Sequence, residues 1–113
     1  MQILFQKISM QELNKMAASM FGDMVKAVVD IDRELMALDA ELHSDLEALL
    51  LEDGSKQASL WGINLYPTAS QEDFVEFDSM INVRPSSGNR SRGVENEMLQ
   101  KRIVQIVIKW VNR

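Results

Sequence analysis

The stretch that decides the fold is SLWGINLY at residues 59–66, followed after a short gap by FVEFDSMINVR at residues 74–84. Both segments are rich in the aromatic and β-branched residues that favour strands, and a proline stops each of them. A hairpin that sets position 66 opposite position 74 matches apolar with apolar side chains and polar with polar ones, as cross-strand pairing requires. The predicted pairs are Ile63 with Phe77, Leu65 with Val75, and Asn64 with Glu76.

Upstream of the hairpin, the chain predicts a strand followed by a helix. Residues 2–8 predict a short opening strand, and Ser9 begins the helix. Ser9 and Glu12 have the spacing of a capping box, and Ile8 can form a hydrophobic staple with Leu13. The first two elements are therefore β and then α.

A second predicted hairpin follows. The β-branched residues 25–31 predict a strand, and a period of two over residues 36–43 predicts a strand that pairs with it. Leucines at helical spacing also fit a helix that starts at Asp39. Residues 39–44 are therefore left open between strand and helix, with the strand favoured.

Two more helices are predicted, over residues 45–53 and about 95–112. Ser44 and Glu47 have capping-box spacing at the start of the first, and Gly54 provides its C-cap. Apolar residues cover more than one face of the last helix. This helix is therefore either deeply buried or packed partly against a second subunit.

These elements, in the order β-α-β-β-α-β-β-α, predict a single α+β domain over residues 1–113. We expect an antiparallel or mixed sheet of four to five strands, with the helices on one face. The wide apolar surface of the last helix makes a homodimer through that helix an alternative to its burial.

The composition excludes several classes of function. The 113 residues include no cysteine and one histidine, which excludes disulfides, thiolate zinc sites, iron–sulfur clusters and cysteine nucleophiles. Apolar residues make up 46% and charged residues 26%, as in globular proteins. No segment is typical of a signal peptide or of a bilayer-spanning helix. We therefore expect a cytoplasmic protein without a membrane partner.

Charge is divided unevenly along the chain. The formal net charge is −5, but residues 1–79 hold 5 basic and 15 acidic side chains, whereas residues 80–113 hold 7 basic and 2 acidic ones. Either the two halves pack together and neutralise each other, or the basic half exposes a patch that binds an anion. The net acidity and the lack of basic residues interleaved with aromatic ones argue against a nucleic acid as partner.

The first candidate site is the loop PSSGNRSRG at residues 85–93, which leads into the last helix. Helix N-termini attract anions, and arginine forks match phosphate or carboxylate oxygens. The spacing matches neither a Walker A loop nor the dinucleotide fingerprint. Alternatively, the arginines pair with carboxylates of the acidic half. The candidate ligand-binding residues are Asn82, Arg84, Asn89, Arg90, Ser91 and Arg92.

The second candidate site consists of Glu41, His43 and Asp45, at alternating positions. A carboxylate can orient an imidazole and raise its basicity, so these residues are candidate catalytic residues with His43 as general base. A metal site is an alternative, but one histidine and two carboxylates provide few ligands for a metal ion. In a third interpretation His43 only hydrogen-bonds to a neighbour or to water.

The third candidate is the alternation of Asp30, Asp32 and Glu34. Three carboxylates on one strand face could hold a divalent cation through oxygen ligands. Such a run is more often the solvated side of a hairpin, which is the interpretation that we favour. We expect neither a metal ion nor another cofactor.

Four stretches together resemble a known family. They are similar to the prokaryotic domain-of-unknown-function 5674 family, members of which occur in cyanobacteria, and the resemblance covers residues 25 to about 111. Members often carry Gly-Gly where this chain has Asp39-Ala40. The stretches are ELHSDLE at 41–47, LLEDGSKQ at 50–57, LWGINLYP at 60–67 and INVRPSSGNRSR at 81–92.

The resemblance implies no established activity, but it does mark positions. Many of them are polar and come from the strand ends and the basic loop, whereas a purely structural motif would be mostly apolar residues and glycine. The resemblance therefore favours the hypothesis that the first two candidate sites form one pocket. The marked positions are Glu41, His43, Asp45, Gly54, Ser55, Trp61, Gly62, Tyr66, Pro67, Asn82, Arg84, Pro85, Asn89, Arg90 and Ser91.

The function that we predict is binding of a small anionic or nucleotide-like ligand by the basic loop over residues 84–93. The first alternative is a phosphate-ester hydrolase, in which His43 is the general base and the arginines stabilise developing charge. The second is a protein-interaction module that forms a homodimer through the C-terminal helix. The sequence leaves open whether the protein is an enzyme.

Overall fold

In the computed structural model, which describes residues 1–112, the main elements follow the predicted order. The helices are α1 (Met10–Met20), α2 (His43–Glu52) and α3 (Glu97–Trp110). The strands are β1 (Gln2–Ile3), β2 (Ile8–Ser9), β3 (Val25–Asp30), β4 (Leu35–Leu38), β5 (Leu60–Leu65), β6 (Val75–Glu76) and β7 (Val111–Asn112). Short 3-10 helices lie over Gln57–Ser59, Gln71–Asp73, Met80–Asn82 and Pro85–Ser87.

Within the described residues, five of these strands form one antiparallel sheet in the order β1-β4-β3-β5-β6. β2 and β7 pair in parallel in a separate small sheet, which brings the start of α1 next to the end of α3. The predicted α+β fold with an antiparallel sheet is confirmed. The single strand predicted over residues 2–8 is wrong, because the chain leaves one sheet after β1 and enters the other at β2.

The helices cover both faces of the sheet. Val25 and Val29 of β3 pack in one core cluster with residues of α1 and α3, whereas Val28 packs in a second cluster with Leu46 and Leu50 of α2. The expectation of helices on one face therefore fails for α2. Consecutive residues of β3 are buried on opposite sides, so each face of the sheet needs a cover.

The start of α1 forms the predicted cap. Ser9 Oγ accepts a hydrogen bond of 3.1 Å from the backbone N–H of Glu12. Ile8 and Leu13 are both buried in the same core cluster, as a hydrophobic staple requires. This helix start is determined locally, because the cap and the staple involve residues within about one turn.

Residues 39–44 belong mostly to a turn. β4 ends at Leu38, and Asp39 adopts a left-handed φ of 74° that breaks the strand. α2 begins at His43, with Leu42 as its N-cap. The strand predicted up to residue 43 is therefore wrong, and the helix starts two residues earlier than predicted.

The predicted capping box of Ser44 and Glu47 does not form, and no side chain makes a cap hydrogen bond at the start of α2. Leu46 and Leu50 are completely buried against the sheet, so packing rather than a local cap sets the start of this helix. The other end agrees with the prediction, because Gly54 follows the helix with a left-handed φ of 104°.

The register of the decisive hairpin is confirmed where the strands pair. Asn64 lies opposite Glu76, and Leu65 lies opposite Val75. β6 contains only two residues, however, so the strand predicted over residues 74–84 is wrong beyond position 76.

The side chain of Asn82 replaces the missing strand backbone beside β5. Its Oδ1 accepts a hydrogen bond of 2.8 Å from the N–H of Gly62, and its Nδ2 donates one of 2.9 Å to the carbonyl of Gly62. Glycine permits this close approach, since a Cβ at Gly62 would lie 2.5 Å from the Cβ of Ser79. The segment after β6 can therefore cover the free edge of β5 without being a strand.

Candidate functional site

Two buried asparagines hold the basic loop in place. Asn82 Nδ2 also donates to the carbonyl of Arg92 at 3.0 Å. Asn89 Nδ2 donates to the carbonyls of Asn82 and Gly93 at 2.7 and 2.8 Å, and its Oδ1 accepts from the N–H of Glu95 at 3.0 Å. Both predicted ligand-binding asparagines thus have their polar atoms engaged, Asn82 with β5 and the loop and Asn89 within the loop.

The backbone donors of the loop already hold an anion, which is the carboxylate of Glu95. One oxygen of Glu95 accepts the N–H groups of Arg90 and Ser91 at 2.6 and 2.8 Å. These hydrogen bonds from Ser91 and Arg90 lower the pKa of Glu95. Two backbone donors of the loop therefore bind an anionic group, but the chain itself supplies that group.

Arg92 has an internal partner as well. Its Nε donates to Asp78 Oδ1 at 2.7 Å, and both side chains are about half exposed. This ion pair joins the basic segment to the acidic half of the chain, as the alternative interpretation of the charges predicts. Arg90 is exposed on the surface.

Arg84 differs from these residues because it is half-buried and incompletely paired. Its guanidinium carbon lies 4.7 Å from the centre of the Trp61 ring, and its Nη2 donates to the carbonyl of Leu60. The nearest carboxylate oxygen belongs to Glu47 and lies 3.9 Å from Nη2. Nη1 is buried and has no hydrogen-bond partner among the described residues. Burial lowers the pKa of Arg84, while Glu47 acts in the opposite direction.

A cavity of about 470 Å³ lies beside Arg84. Its polar lining includes Glu47, Gln57, Ser86 and Ser87, and the rest is mostly apolar. Volumes of a few hundred Å³ are typical of sites for small ligands. A small ligand in this cavity would contact Arg84 directly.

Trp61 borders a second cavity, of about 380 Å³, which shares the lining residue Ser87 with the first. Trp61 is 7% exposed, and its Nε1 has no hydrogen-bond partner within residues 1–112. Trp61 belongs to the main hydrophobic core. Its unpaired N–H, which sequence reasoning could not anticipate, is a second donor close to Arg84.

His43, the first residue of α2, is buried against the sheet. Its Nε2 donates to the carbonyl of Ile63 at 2.8 Å. Burial lowers the pKa of His43, so the neutral ring with Nε2 protonated fits this site. This arrangement matches the third interpretation of His43, hydrogen bonding to a neighbour.

The carboxylates of the second candidate site do not reach His43. Glu41 and Asp45 are exposed, and no hydrogen bond or ion pair in the described chain joins either of them to His43. Likewise, nothing in that part of the chain links His43 to Arg84 by such a contact. The two candidate sites are therefore not joined by direct polar contacts.

The acidic run near the first hairpin stabilises a turn. Asp30 is buried, and its Oδ1 accepts the N–H groups of Asp32 and Arg33 at 2.9 Å each. Its Oδ2 accepts a hydrogen bond of 2.6 Å from Ser55 Oγ. Among residues 1–112, no group of three or more potential ligand side chains is placed to hold a metal ion. Asp30 is thus the buried last residue of β3, whereas Asp32 and Glu34 are exposed, as the solvated interpretation of the run predicts.

Sequence reasoning missed two carboxylates of the site. The sequence assigns Glu47 to a capping box, whereas the structure turns it towards Arg84. Glu95 is one of only two acidic residues in the segment 80–113, and it lies five residues after Arg90. That closeness in sequence was the available signal that its carboxylate could bind to the basic loop. Both carboxylates act as internal counterions.

Fold and site together define a small α+β domain in which a half-buried arginine lies beside a cavity. The chain matches, over residues 2–110, the family model described as "Protein of unknown function (DUF5674)", and it therefore belongs to that family. This confirms the resemblance noted from the sequence. No curated protein and no solved structure matches the chain significantly. Within residues 1–112, no helix is long and apolar enough to cross a membrane.

Proposed function

We propose that this protein binds a small anionic ligand through Arg84, in the adjacent cavity of about 470 Å³. The observation that carries the proposal is Nη1 of Arg84, which is buried without a hydrogen-bond partner in the described chain. Because Nη1 is shielded from solvent, an adjustment of the Arg84 side chain would present it to a carboxylate or phosphate oxygen in the cavity, and that oxygen would supply the partner. The planar guanidinium suits such groups because it can donate to two oxygens at once.

The energetics of Arg84 support this proposal. A guanidinium stays protonated in proteins, so its burial must be offset by a nearby negative charge. Glu47, at 3.9 Å, is beyond the distance of a charge-assisted hydrogen bond. The charge of Arg84 is thus only partly compensated, and a bound anion would complete the compensation.

Of the predicted arginines, Arg84 is the one with a free buried donor. The carboxylate of Glu95 competes for the backbone donors of Arg90, and Asp78 competes for Arg92. Gln57, Ser86 and Ser87 line the same cavity as Arg84 and can donate to the remaining oxygens of a ligand. We therefore expect a small carboxylate or phosphate monoester rather than a long polyanion.

The test uses thermal unfolding and tryptophan fluorescence with inorganic phosphate, acetate and a nucleoside monophosphate as probes, at low fixed salt. Binding at about a hundred times the Kd stabilises a protein by about 2.7 kcal/mol, which corresponds to several degrees in Tm. We expect at least one probe to stabilise the wild type and to change its tryptophan emission, to which Trp61 contributes together with Trp110. Arg84→Met, which keeps an apolar side chain over the Trp61 ring, should lose both responses.

Two further variants make the test specific to Arg84. Glu47→Gln removes the competing carboxylate and should strengthen anion binding by roughly 3- to 10-fold. Arg90→Ala should bind as the wild type does. Equal binding by wild type and Arg84→Met, or a loss confined to Arg90→Ala, contradicts the proposal. If Arg84→Met fails to fold, unchanged or weaker binding by Glu47→Gln still contradicts it.

The hydrolase alternative stays a prediction of the sequence. A general base needs an orienting group and access to substrate. His43 is buried, donates Nε2–H to Ile63 and has no contact with the carboxylates of Glu41 or Asp45. No specific observation therefore favours catalysis over binding. The cytoplasmic location likewise stays a prediction.

A further inference from the structure

The cavity beside Arg84 contains a carboxylate as well as a guanidinium. Glu47 of α2 lines this cavity together with Arg84, and the exposed fractions of the two side chains are 15% and 13%. Nη2 of Arg84 and Oε2 of Glu47 lie 3.9 Å apart, which is too far for a hydrogen bond between them. Two opposite charges therefore line one cavity, largely shielded from water and without direct contact.

Both charged groups have unused hydrogen-bonding capacity. Nη1 of Arg84 has no partner among the described residues, and the carboxylate of Glu47 accepts no hydrogen bond within residues 1–112. Arg92 and Asp78, which are more exposed, form a closed pair at 2.7 Å. Charges removed from water need close partners to offset their lost hydration. A ligand with groups for both Arg84 and Glu47 would supply these partners.

The short distance between the two groups limits the spacing of charges on such a ligand. An anion bound to Arg84 has its negative charge close to Glu47, which repels it. An ammonium group next to the ligand's carboxylate removes this repulsion, because the ammonium donates to Glu47 while the carboxylate accepts from Arg84. Since the two side chains are only 3.9 Å apart, the ligand's two charged groups must be close neighbours. An α-amino acid has this spacing.

The remaining wall of the cavity is suited to an apolar side chain. Met80, Ile81 and Val83 line it beside Arg84, and Met80 is 66% exposed. In the described part of the chain, Glu47 and Arg84 are the charged residues that line the cavity. A third charge on the ligand would therefore have no partner there, which argues against an acidic or basic amino acid.

We propose that the ligand of Arg84 is a small α-amino acid with an apolar side chain, of which leucine is a representative. This inference rests on the proposed function and adds Glu47 as the residue that binds the ammonium group. The carboxylate of the ligand binds Arg84, and its side chain packs along Ile81 and Val83. Glu47 thus weakens the binding of simple anions but strengthens that of an amino acid.

The first test compares matched probes on the wild type by isothermal titration calorimetry at low fixed salt. Leucine carries all three groups, isocaproate lacks the ammonium, leucinamide lacks the carboxylate, and glycine lacks the apolar side chain. We expect leucine to bind at least about tenfold more tightly than isocaproate or leucinamide, because each of these loses a hydrogen-bonded charge. Glycine should also bind at least about tenfold more weakly, because it buries less apolar surface.

The second test uses Glu47→Gln to separate the two effects of Glu47. This variant should weaken leucine binding roughly 3- to 10-fold and strengthen isocaproate binding by a similar factor. Glu52→Gln is the matched control, since it makes the same substitution at an exposed residue of α2 outside the cavity. It should leave both affinities unchanged.

The outcomes distinguish this inference from the proposed function. If the wild type binds leucine no more tightly than isocaproate, the inference is overturned while the anion site stands. Leucinamide that binds as tightly as leucine overturns both, and so does a wild type that binds none of leucine, isocaproate, acetate and phosphate. Equal binding of glycine and leucine overturns the apolar assignment. Parallel changes of both affinities in Glu47→Gln overturn the role of Glu47, and the wild-type comparison decides the matter if that variant fails to fold.

Discussion

At the scale of single residues, side chains replace backbone at the edge of β5. Asn82 provides the donor and the acceptor that a neighbouring strand would offer to Gly62. An asparagine amide can do this because it carries the same pair of hydrogen-bonding groups as a peptide. This arrangement brings Ser79 so close to Gly62 that a side chain at position 62 would overlap it.

We expect Gly62→Ala to destabilise the protein by about 1–3 kcal/mol, because the new methyl group overlaps the side chain of Ser79. Urea unfolding followed by tryptophan fluorescence measures the difference. Gly93→Ala is the control, since a Cβ there would make only ordinary contacts, the nearest being 3.4 Å from the carbonyl of Phe77. Similar stabilities of the two variants would contradict this interpretation of Gly62.

The predicted grouping of Glu41, His43 and Asp45 depends on secondary structure. On a strand, residues two apart point to the same face, whereas on a helix they point in nearly opposite directions. His43 begins α2, so it faces the sheet while Asp45 is exposed. The error in one strand boundary therefore separates the predicted catalytic residues.

At the scale of elements, the two predicted capping boxes show how far local sequence determines a helix start. Ser9 forms its cap, and Ser44 does not, although both precede a glutamate by three residues. The difference is that the buried leucines of α2 contact the sheet, and this contact outweighs a cap of about 1 kcal/mol.

We therefore expect Ser9→Ala to lower the free energy of unfolding by about 1 kcal/mol, through loss of the cap to Glu12. Ser44→Ala should leave it almost unchanged, because Ser44 is exposed and caps nothing. Parallel chemical denaturation of both variants checks this. A larger effect at Ser44 than at Ser9 would be inconsistent with the observed helix starts.

At the scale of the whole molecule, α3 joins the basic C-terminal segment to the acidic half. Trp110 Nε1 donates to the carbonyl of Glu34 at 2.8 Å, and Arg102 donates to the carbonyl of Ile31 at 2.6 Å. Lys109 lies 3.7 Å from the carboxylate of Glu34. Contacts within the fold thus partly neutralise the uneven charge of the sequence. Arg84 is an exception, because it is half-buried and its nearest carboxylate oxygen, on Glu47, lies 3.9 Å away.

The pH dependence of global stability should reveal the buried His43. Burial lowers its pKa in the folded state, so below the unfolded pKa of about 6.5 the unfolded chain binds more protons. Stability should therefore fall as the pH is lowered from about 7.5 to about 5, with a slope from this residue below about 1.4 kcal/mol per pH unit. His43→Gln should flatten the curve in that range. Parallel curves for the two proteins would show that His43 titrates alike in both states.

The sequence by itself determined the features that depend on near neighbours or on periodicity. These are the cap of α1, the register of Asn64 with Glu76, the order of the main elements and the family. Neighbouring residues and repeating side-chain patterns carry this information directly.

Only the tertiary structure decided how the site is assembled. Glu95 is bound by the loop, Glu47 lies near Arg84, and His43 is turned towards the sheet. These outcomes depend on which faces of β3 and α2 are buried and on which buried donors find acceptors across the fold. Distant groups compete for burial and for hydrogen bonds, and this competition leaves no periodic pattern in the sequence. The unpaired donor of Arg84 can therefore be recognised only from the tertiary structure.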